Sequence, residues 1–396
     1  MSPSIRFPEF TGEWEKCKLG TLATKVGSGS TPKGGDAVYT SIGHYFVRSQ
    51  NVGMGFLMLD NIAHINDDIH QKHKATEIYE NDVLLNITGA SIGRTAVATK
   101  ELEGGNVNQH VCIIRTNSKV NPKFLCDYIQ TQRIQNHIKS LQTGGSREGL
   151  NFEQIRSFPI SLPSINEQNK LTCLLDKINE RIATQVRLID RLQSLIKGIN
   201  RTIFTGSGLE YSLCDVCEIR SGYSGNQLQG GKGLGVSRIE TISAHNINLE
   251  RIGYVAPFDA SENYRLQVGD ILFSNINSVE YIGNTAFIDK DYNLYHGMNL
   301  LRLIPFRNVV VPFYLYILLN TNRMLKHFKT ICNKAVSQAS INQKELGKTI
   351  VMLPSLEKQK QVCNIYQAMY SKLKTEKDVL SFYQEQKRYL LRHMFI

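Results

Sequence analysis

The feature that most constrains this chain is that it is written twice. Leu162-Pro163-Ser164-Ile165 followed by Gln168 returns as Leu353-Pro354-Ser355-Leu356 followed by Gln359, a shift of 191 positions (163 to 354). Upstream, Ile92-Gly93-Arg94-Thr95-Ala96 returns as Ile282-Gly283-Asn284-Thr285-Ala286, a shift of 190 (92 to 282). Pro122, Leu125, Thr131, Arg133 and His137 likewise match Pro312, Leu315, Thr321, Arg323 and His327. Such a period far exceeds the ~20–50 residues of a solenoid repeat, so the repeated object is a domain with an appended helix. A chain of 396 residues has room for two of them.

Within each copy, Asp82 to Leu85 and Asp270 to Phe273 follow turn-forming Asn81 and Gly269 and read as strands, as does the apolar run Val111 to Ile114. Pro122 and Pro312 stand at helix starts, ahead of helical patterns over Phe124 to Ile138 and Tyr314 to Phe328. The appended segments carry the clearest period. Leu171, Leu175, Ile178, Ile182, Ile189, Leu192, Ile196, Ile199 and Ile203 follow spacings of four and three, with Gln185 the polar member. The second copy supplies Val362, Tyr366, Met369, Leu373, Glu376, Leu380, Tyr383, Lys387, Leu390 and Met394. Ser164 with Glu167 forms a capping-box pattern at the first helix start, and Gly206 and Gly208 end that helix.

The expected fold class is α+β: two mixed α/β domains, 1–162 and 206–353, each followed by a long helix, 163–205 and 354–396. The helices would pair antiparallel as a coiled coil, giving a pseudo-two-fold internal repeat. Leu175, Ile182, Gln185 and Ile189 would then face Tyr366, Leu373, Glu376 and Leu380. At ~1.5 Å per residue the seam is roughly 50 Å long, enough to hold two domains apart. The alternative is two separate helices, each in its own domain core.

Lys and Arg outnumber Asp and Glu by 46 to 35, giving a formal net charge of +11, which favours a polyanionic partner such as nucleic acid. No apolar run approaches the ~20 residues of a membrane helix, and Met1 to Phe10 shows no apolar signal segment. Eight cysteines without a disulfide-framework spacing suit a reducing compartment, so the expectation is a cytoplasmic protein with no membrane partner.

Catalytic constellations are missing. The chain has no Pro-Pro dipeptide, which the Asn/Asp-Pro-Pro-aromatic motif of adenine methyltransferases requires, and Gly231-Lys232 lacks the rest of a Walker loop. Glu385-Gln386-Lys387 mimics the end of a nuclease motif without any Pro-Asp elsewhere, and reads as a solvated helix face. Cys214 and Cys217 have one metal-like spacing without a second pair, so small buried residues are expected there. His64, His70 and His73 fit no familiar metal motif and read as solvent-facing or phosphate-facing; no metal site is expected.

The chain resembles the specificity (S) subunits of type I restriction-modification systems over essentially its whole length. The resemblance rests on Phe7-Pro8-Glu9-Phe10 with Gly12-Glu13-Trp14 and Lys18-Leu19-Gly20, on the Gly29-Ser30-Thr31-Pro32 turn, and on the Ile-Gly-x-Thr-Ala pair. It also rests on Leu-Pro-Ser before Glu167-Gln168 and on the ending Leu390-Leu391-Arg392-His393-Met394-Phe395. It implies that each globular half reads one part of a split double-stranded DNA target. The helices would dock modification (M) subunits, two of them, and restriction (R) subunits would join. This chain would be a non-catalytic subunit without a cofactor, while S-adenosylmethionine, ATP and Mg act in the partners of an adenine-N6 methyltransferase and endonuclease complex. The second half departs from the pattern with Gly222-Tyr223-Ser224-Gly225 and with Lys358 before Gln359. An autonomous DNA-modifying enzyme and a coiled-coil scaffold without DNA binding are the competing classes.

Reading DNA requires polar side chains delivered to base edges and cations delivered to phosphates. Arg48, Gln50 and Asn51 lie opposite a stretch beginning at Arg238, and either arginine could recognise guanine or anchor a strand end to a carboxylate. A second polar loop, Asn86, Thr88, Ser91 and Arg94, lies opposite Asn275, Asn277, Tyr281 and Asn284. Lys72, Lys74, Lys139, Arg147, Lys329 and Lys334 are the phosphate candidates, with an ordinary basic surface the alternative for each.

Overall fold

The computed structural model describes residues 3–32, 34–142, 149–203, 208–228, 231–242, 246–334 and 338–396. They fall into two compact units, Met1–Arg187 with Asp378–Ile396, and Leu188–Lys377. The boundaries read from the sequence follow the chain, whereas the compact units cut across both long helices, so each unit owns a stretch of each.

The same sheet is built in both units. In the first, four antiparallel strands run in the order Ala23–Ser28, Val111–Thr116, Val83–Asn86, Thr95–Val97. In the second the order is Cys217–Ser221, Leu301–Pro305, Ile271–Phe273, Thr285–Phe287. Asn81 (φ 70°) and Gly269 (φ 104°) take the left-handed turn that starts the third strand of each order. A two-stranded antiparallel pair, Glu15–Lys18 with Pro159–Leu162 or Leu209–Ser212 with Ile350–Leu353, precedes each long helix.

The helical pattern from 124 to 138 is two helices, Pro122–Gln130 and Gln132–Gln142, and its counterpart is Pro312–Leu319 and Asn322–Ile331. A threonine breaks each. Thr131 (ψ 147°) and Thr321 (ψ 149°) are extended, and their hydroxyls donate back to the carbonyls of Tyr128 (2.7 Å) and Leu318 (2.8 Å). Such a side chain offers the backbone a local alternative to continuing the helix.

The long helices are Ile165–Ile203 and Leu356–His393. The seam read from the sequence is the buried stripe. Leu171, Leu175, Ile178, Gln185, Ile189 and Ile196 are buried, and Ile182, Leu192 and Ile199 half-buried. In the C-terminal helix Val362, Tyr366, Leu373, Glu376 and Met394 are buried, while Leu380, Tyr383 and Lys387 are half-buried. Within the first unit, Leu171 and Leu175 share one core with Leu391, Met394 and Phe395, so the start of one helix lies against the end of the other. Phe395 stacks on Phe124 (5.4 Å between centroids) and meets Trp14 edge-on (6.4 Å). The Ile203 side chain and Gly206 lie outside the described residues.

The capping box expected at Ser164 is only half made. The Ser164 hydroxyl accepts from the Glu167 N–H (3.3 Å), but the Glu167 carboxylate turns away to Arg6. It takes two guanidinium bonds of 2.7 Å there and one from the Trp14 indole at 3.3 Å. Glu167 is buried, and a buried carboxylate gains more from a bidentate arginine than from its own helix end. Lys358 stands at the equivalent position of the second unit and is exposed.

The next residue is the shared anchor. Gln168 Nε2 donates to the carbonyls of Lys119 (3.1 Å) and Pro163 (2.9 Å), and its Oε1 accepts from the Asn121 N–H (2.8 Å). Gln359 repeats the pattern with the carbonyls of Val309 (3.3 Å) and Pro354 (2.9 Å) and the N–H of Val311 (2.9 Å). Replacing either by Leu orphans one donor and two acceptors in a buried place and should cost about 1–3 kcal/mol or more. Because the two clamps sit in separate units, urea unfolding of the double variant should show nearly additive losses; an unchanged midpoint in either single variant would refute the anchoring role.

Candidate nucleic-acid interface

Two backbone crossings frame the candidate surface. A Cβ on Gly29 would lie 1.6 Å from the Val107 carbonyl oxygen, and one on Gly222 would lie 1.9 Å from that of Gly297. Only glycine allows these approaches, which accounts for the glycine that opens both turn sequences. Each sheet also carries an arginine that pairs with the buried aspartate before its third strand. Arg115 holds Asp82 through two bonds of 2.8 Å, and Arg302 holds Asp270 at 2.6 Å. Strand register aligns Ile113 with Arg302, so the second arginine arrives two positions earlier along its strand.

The polar residues singled out from the sequence divide into buried and presented groups. Asn51 is buried, accepting from the Arg48 N–H (3.0 Å) and donating to the Met58 carbonyl (2.8 Å). Asn86 is fully buried and donates to the Ser49 carbonyl (2.8 Å). The Asn86 amide therefore staples the 48–58 segment to the sheet and the Asn51 amide closes that segment on itself, because a buried amide must find partners inside the fold. Asn284 is buried as well. Gln50 and Arg94 are exposed, and Thr88 and Ser91 half-buried. The Arg48 guanidinium lies 5.2 Å from the Tyr39 ring centroid and its Nε is buried without a hydrogen-bond partner, and among the described residues no carboxylate pairs with it. Arg238 is half-exposed, 3.9 Å from Glu240.

The polar loop of the second unit is displaced by one residue from the alignment expected. Strand pairing sets Leu85 against Cys112 and Phe273 against Leu301, and the Asn86 and Ser274 N–H groups donate to the carbonyls of Arg94 and Asn284. Asn86 thus corresponds to Ser274, not Asn275. Asn275 donates to the Ile341 carbonyl (3.3 Å) and Asn277 to the Ser274 hydroxyl (3.1 Å), leaving Tyr281 exposed on that loop.

Of the phosphate candidates, Lys72, Lys139, Lys329 and Lys334 are exposed, whereas Lys74 pairs with Glu77 at 2.7 Å. Arg147 lies outside the described residues. His70 is not solvent-facing: it is buried, bonded to Asn106 (2.8 Å), and stacked on His44 at 3.8 Å. His73 meets the Ser30 hydroxyl at 3.0 Å, and His64 lies beside the Tyr45 ring. Cys217 is buried, and burial pushes its thiol up to about 12, but Cys214 is exposed, contrary to expectation, since only one face of the short helix Leu213–Val216 is covered. Lys387 donates to the Gln130 side chain (3.1 Å) and is half-buried, so that stretch is not a solvated face throughout.

A row of side chains completes the surface of the first unit, joining the candidate Thr88 to Gln109 and His110, which the sequence reading did not select. Thr31 bonds Gln109, the Gln109 Nε2 meets His110 Nε2 at 3.0 Å, and His110 Nδ1 meets the Thr88 hydroxyl at 2.5 Å. These residues come from three separate segments. The available signal for Gln109 and His110 was their place immediately before the shared apolar run beginning at Val111, where the two halves differ.

The first unit also has a cleft of about 380 Å³ lined in part by Phe56, Lys123, Cys126, Asp127 and Asp176. Burial raises the Asp127 carboxyl to about 7, with Asp176 adding to the rise and Lys387 and Lys123 opposing it. The raised folded value means Asp127 favours the fold when protonated, and this contribution is lost as pH rises from the unfolded value, ~4, through about 7. Asp127→Asn should therefore raise the melting temperature more at pH 8 than at pH 5, by a few degrees; equal effects at both pH values would exclude the linkage.

Two domains of one design, each joined to a long helix and each offering a different polar surface, define a duplicated recognition module. A family model for the type I restriction modification DNA specificity domain matches residues 11–194 and 209–381, and the chain belongs to that family. It is 38% identical over 187 residues to a putative type I restriction enzyme MjaX specificity subunit of Methanocaldococcus jannaschii, covering 46% of this chain and 44% of that protein. It is 24% identical over 167 residues to the type I restriction enzyme EcoBI specificity subunit of Escherichia coli, covering 40% and 34%. The matched stretches thus span less than half of either curated relative. The fold is similar to the crystal structure of a type I restriction-modification S subunit from M. genitalium, with a TM-score of 0.62, 17% identity, and coverage of 100% and 99%. A chain from a study of complex assembly in the type I system gives 0.62 at 18% identity, covering 97% of each.

Arg94 and Asn86 separate the two kinds of polar residue. Arg94→Ala should weaken DNA binding, lowering the salt slope by about one, with the melting temperature unchanged. Asn86→Ala should instead lower the melting temperature, because it removes a donor from a buried carbonyl.

Proposed function

We propose that this chain is the DNA specificity subunit of a type I restriction-modification complex, binding an asymmetric, bipartite double-stranded target and positioning modification and restriction subunits. One observation carries the reading: two units share buried anchors, Gln168 and Gln359, while the polar residues above the sheets differ. A common frame with diverged presented groups is what two readers of different half-sites require. The net charge of +11 supplies the matching electrostatics.

The chain contributes recognition, and methyl transfer and cleavage are done by its partners, which hold S-adenosylmethionine, ATP and magnesium. Apolar groups left exposed on the long helices, Val186, Leu195, Phe382 and Tyr389 among them, suit docking of two modification subunits. Among the described residues no helix is long and apolar enough to cross a membrane. Eight cysteines without a disulfide-framework spacing support a cytoplasmic site of action.

The test is the methylated motif of cells expressing this chain with its modification subunits, together with methyl incorporation by the purified chain alone. The expected outcome is adenine methylation in a motif of two unlike half-sites, dependent on both components. Methylation by the chain alone, or a complex without sequence preference, would overturn the reading.

A further inference from the structure

We propose that Gln109 is a base-reading residue of the first unit and takes an adenine through its major-groove edge; the inference rests on the DNA-reading function proposed above. Gln109 is exposed at the entrance to strand Val111–Thr116. Its amide is held at both ends, by the Thr31 hydroxyl and by His110, and His110 is fixed in turn by Thr88 at 2.5 Å. His110 is anchored at its backbone too, its N–H donating to Asn108 at 3.0 Å.

The hydrogen-bond count then decides the ligand. An amide side chain has two N–H donors and an oxygen with two lone pairs. Among the described residues, one capacity at each end is engaged by Thr31 and His110. Either orientation of the amide, with the matching tautomer of His110, leaves one N–H and one lone pair free. A free donor beside a free acceptor complements N7 and the N6 amino group of adenine. Guanine presents two acceptors along the same edge and is not matched. Holding the amide before DNA arrives also removes part of the side-chain ordering cost of binding.

The second unit shows that this pattern is a property of one half only. Counting back from the paired strands, Cys112 corresponds to Leu301, and Gln109 therefore to Met298. Met298 is 37% exposed and cannot supply a donor beside an acceptor. The strand register is common to both units, while the loop and the corner beside it differ.

The experiment uses the full chain assembled with its modification subunits and duplexes carrying the methylated motif, with 7-deazaadenine replacing each adenine of each half-site in turn. That base lacks the N7 acceptor and keeps the pairing face. One position in one half-site should lose about 5- to 150-fold in affinity with the parent complex. Gln109→Met, which installs the residue of the other unit, should abolish that penalty and leave all other positions unaffected. Gln109→Glu should shift the preference at that position towards cytosine, a gain that misfolding cannot produce. A penalty that persists in Gln109→Met, a uniform weakening over all duplexes, or a lowered melting temperature would each overturn the assignment. A parent complex with no sequence preference would instead remove the function on which the inference rests.

Discussion

Each long helix in this protein begins on a buried glutamine, and the rest of the structure depends on how that amide is satisfied. Gln168 and Gln359 join the first turn of a helix, the Pro residue before it, and the loop that launches the Pro122 or Pro312 helix. No apolar side chain can do this, because the three backbone groups would remain unpaired in the interior. The clamp fixes the helix relative to the sheet through the helices packed on it, and so fixes where the polar loops emerge. The Leu-Pro-Ser-x-x-x-Gln repetition is thus a hydrogen-bond arrangement written in sequence.

On this common frame the two units diverge in chemistry. The first secures its helix start a second time through Arg6, Trp14 and buried Glu167, and its core takes in Phe395 from the chain's other end. The second carries exposed Lys358 where that carboxylate would be. It builds an aromatic group instead, with Tyr223 stacked on Phe258 at 3.6 Å and Tyr264 edge-on to both. Tyr223 belongs to the turn that reads Gly-Ser-Thr-Pro in the first half, where Ser30 bonds His73. One glycine crossing therefore supports a hydrogen-bonded corner in one unit and an aromatic corner in the other.

What could be read from the sequence was whatever repeats with a period. The seam positions became the buried stripe because 3.5-residue spacing allows only one face to be covered. Asn81 and Gly269 were legible as turns through their residue type. Breaks at Thr131 and Thr321 were not, since the apolar pattern runs through them and only the hydroxyl's bond to the preceding turn ends the helix. The one-residue displacement between Asn86 and Asn275 is not written in the sequence, because both loops carry asparagines at similar places and only strand pairing fixes the register. Buried Asn51 and Asn86 look identical to presented asparagines in a sequence, and only the fold reveals which carbonyls they meet.

That last ambiguity has a physical resolution that extends to any residue offered as a reader of DNA. Base recognition needs a donor or acceptor that is both exposed and not already engaged. Asn86 fails on burial, and Lys74 already has an ion-pair partner in Glu77. Arg48 is a different case, with a buried Nε that lacks a hydrogen bond and a guanidinium set over Tyr39. Leaving such an atom unpaired is costly in the free protein, about 1–3 kcal/mol. Polar type and loop position select many residues in this chain, whereas remaining hydrogen-bond capacity selects few, and Gln109 retains one capacity of each kind.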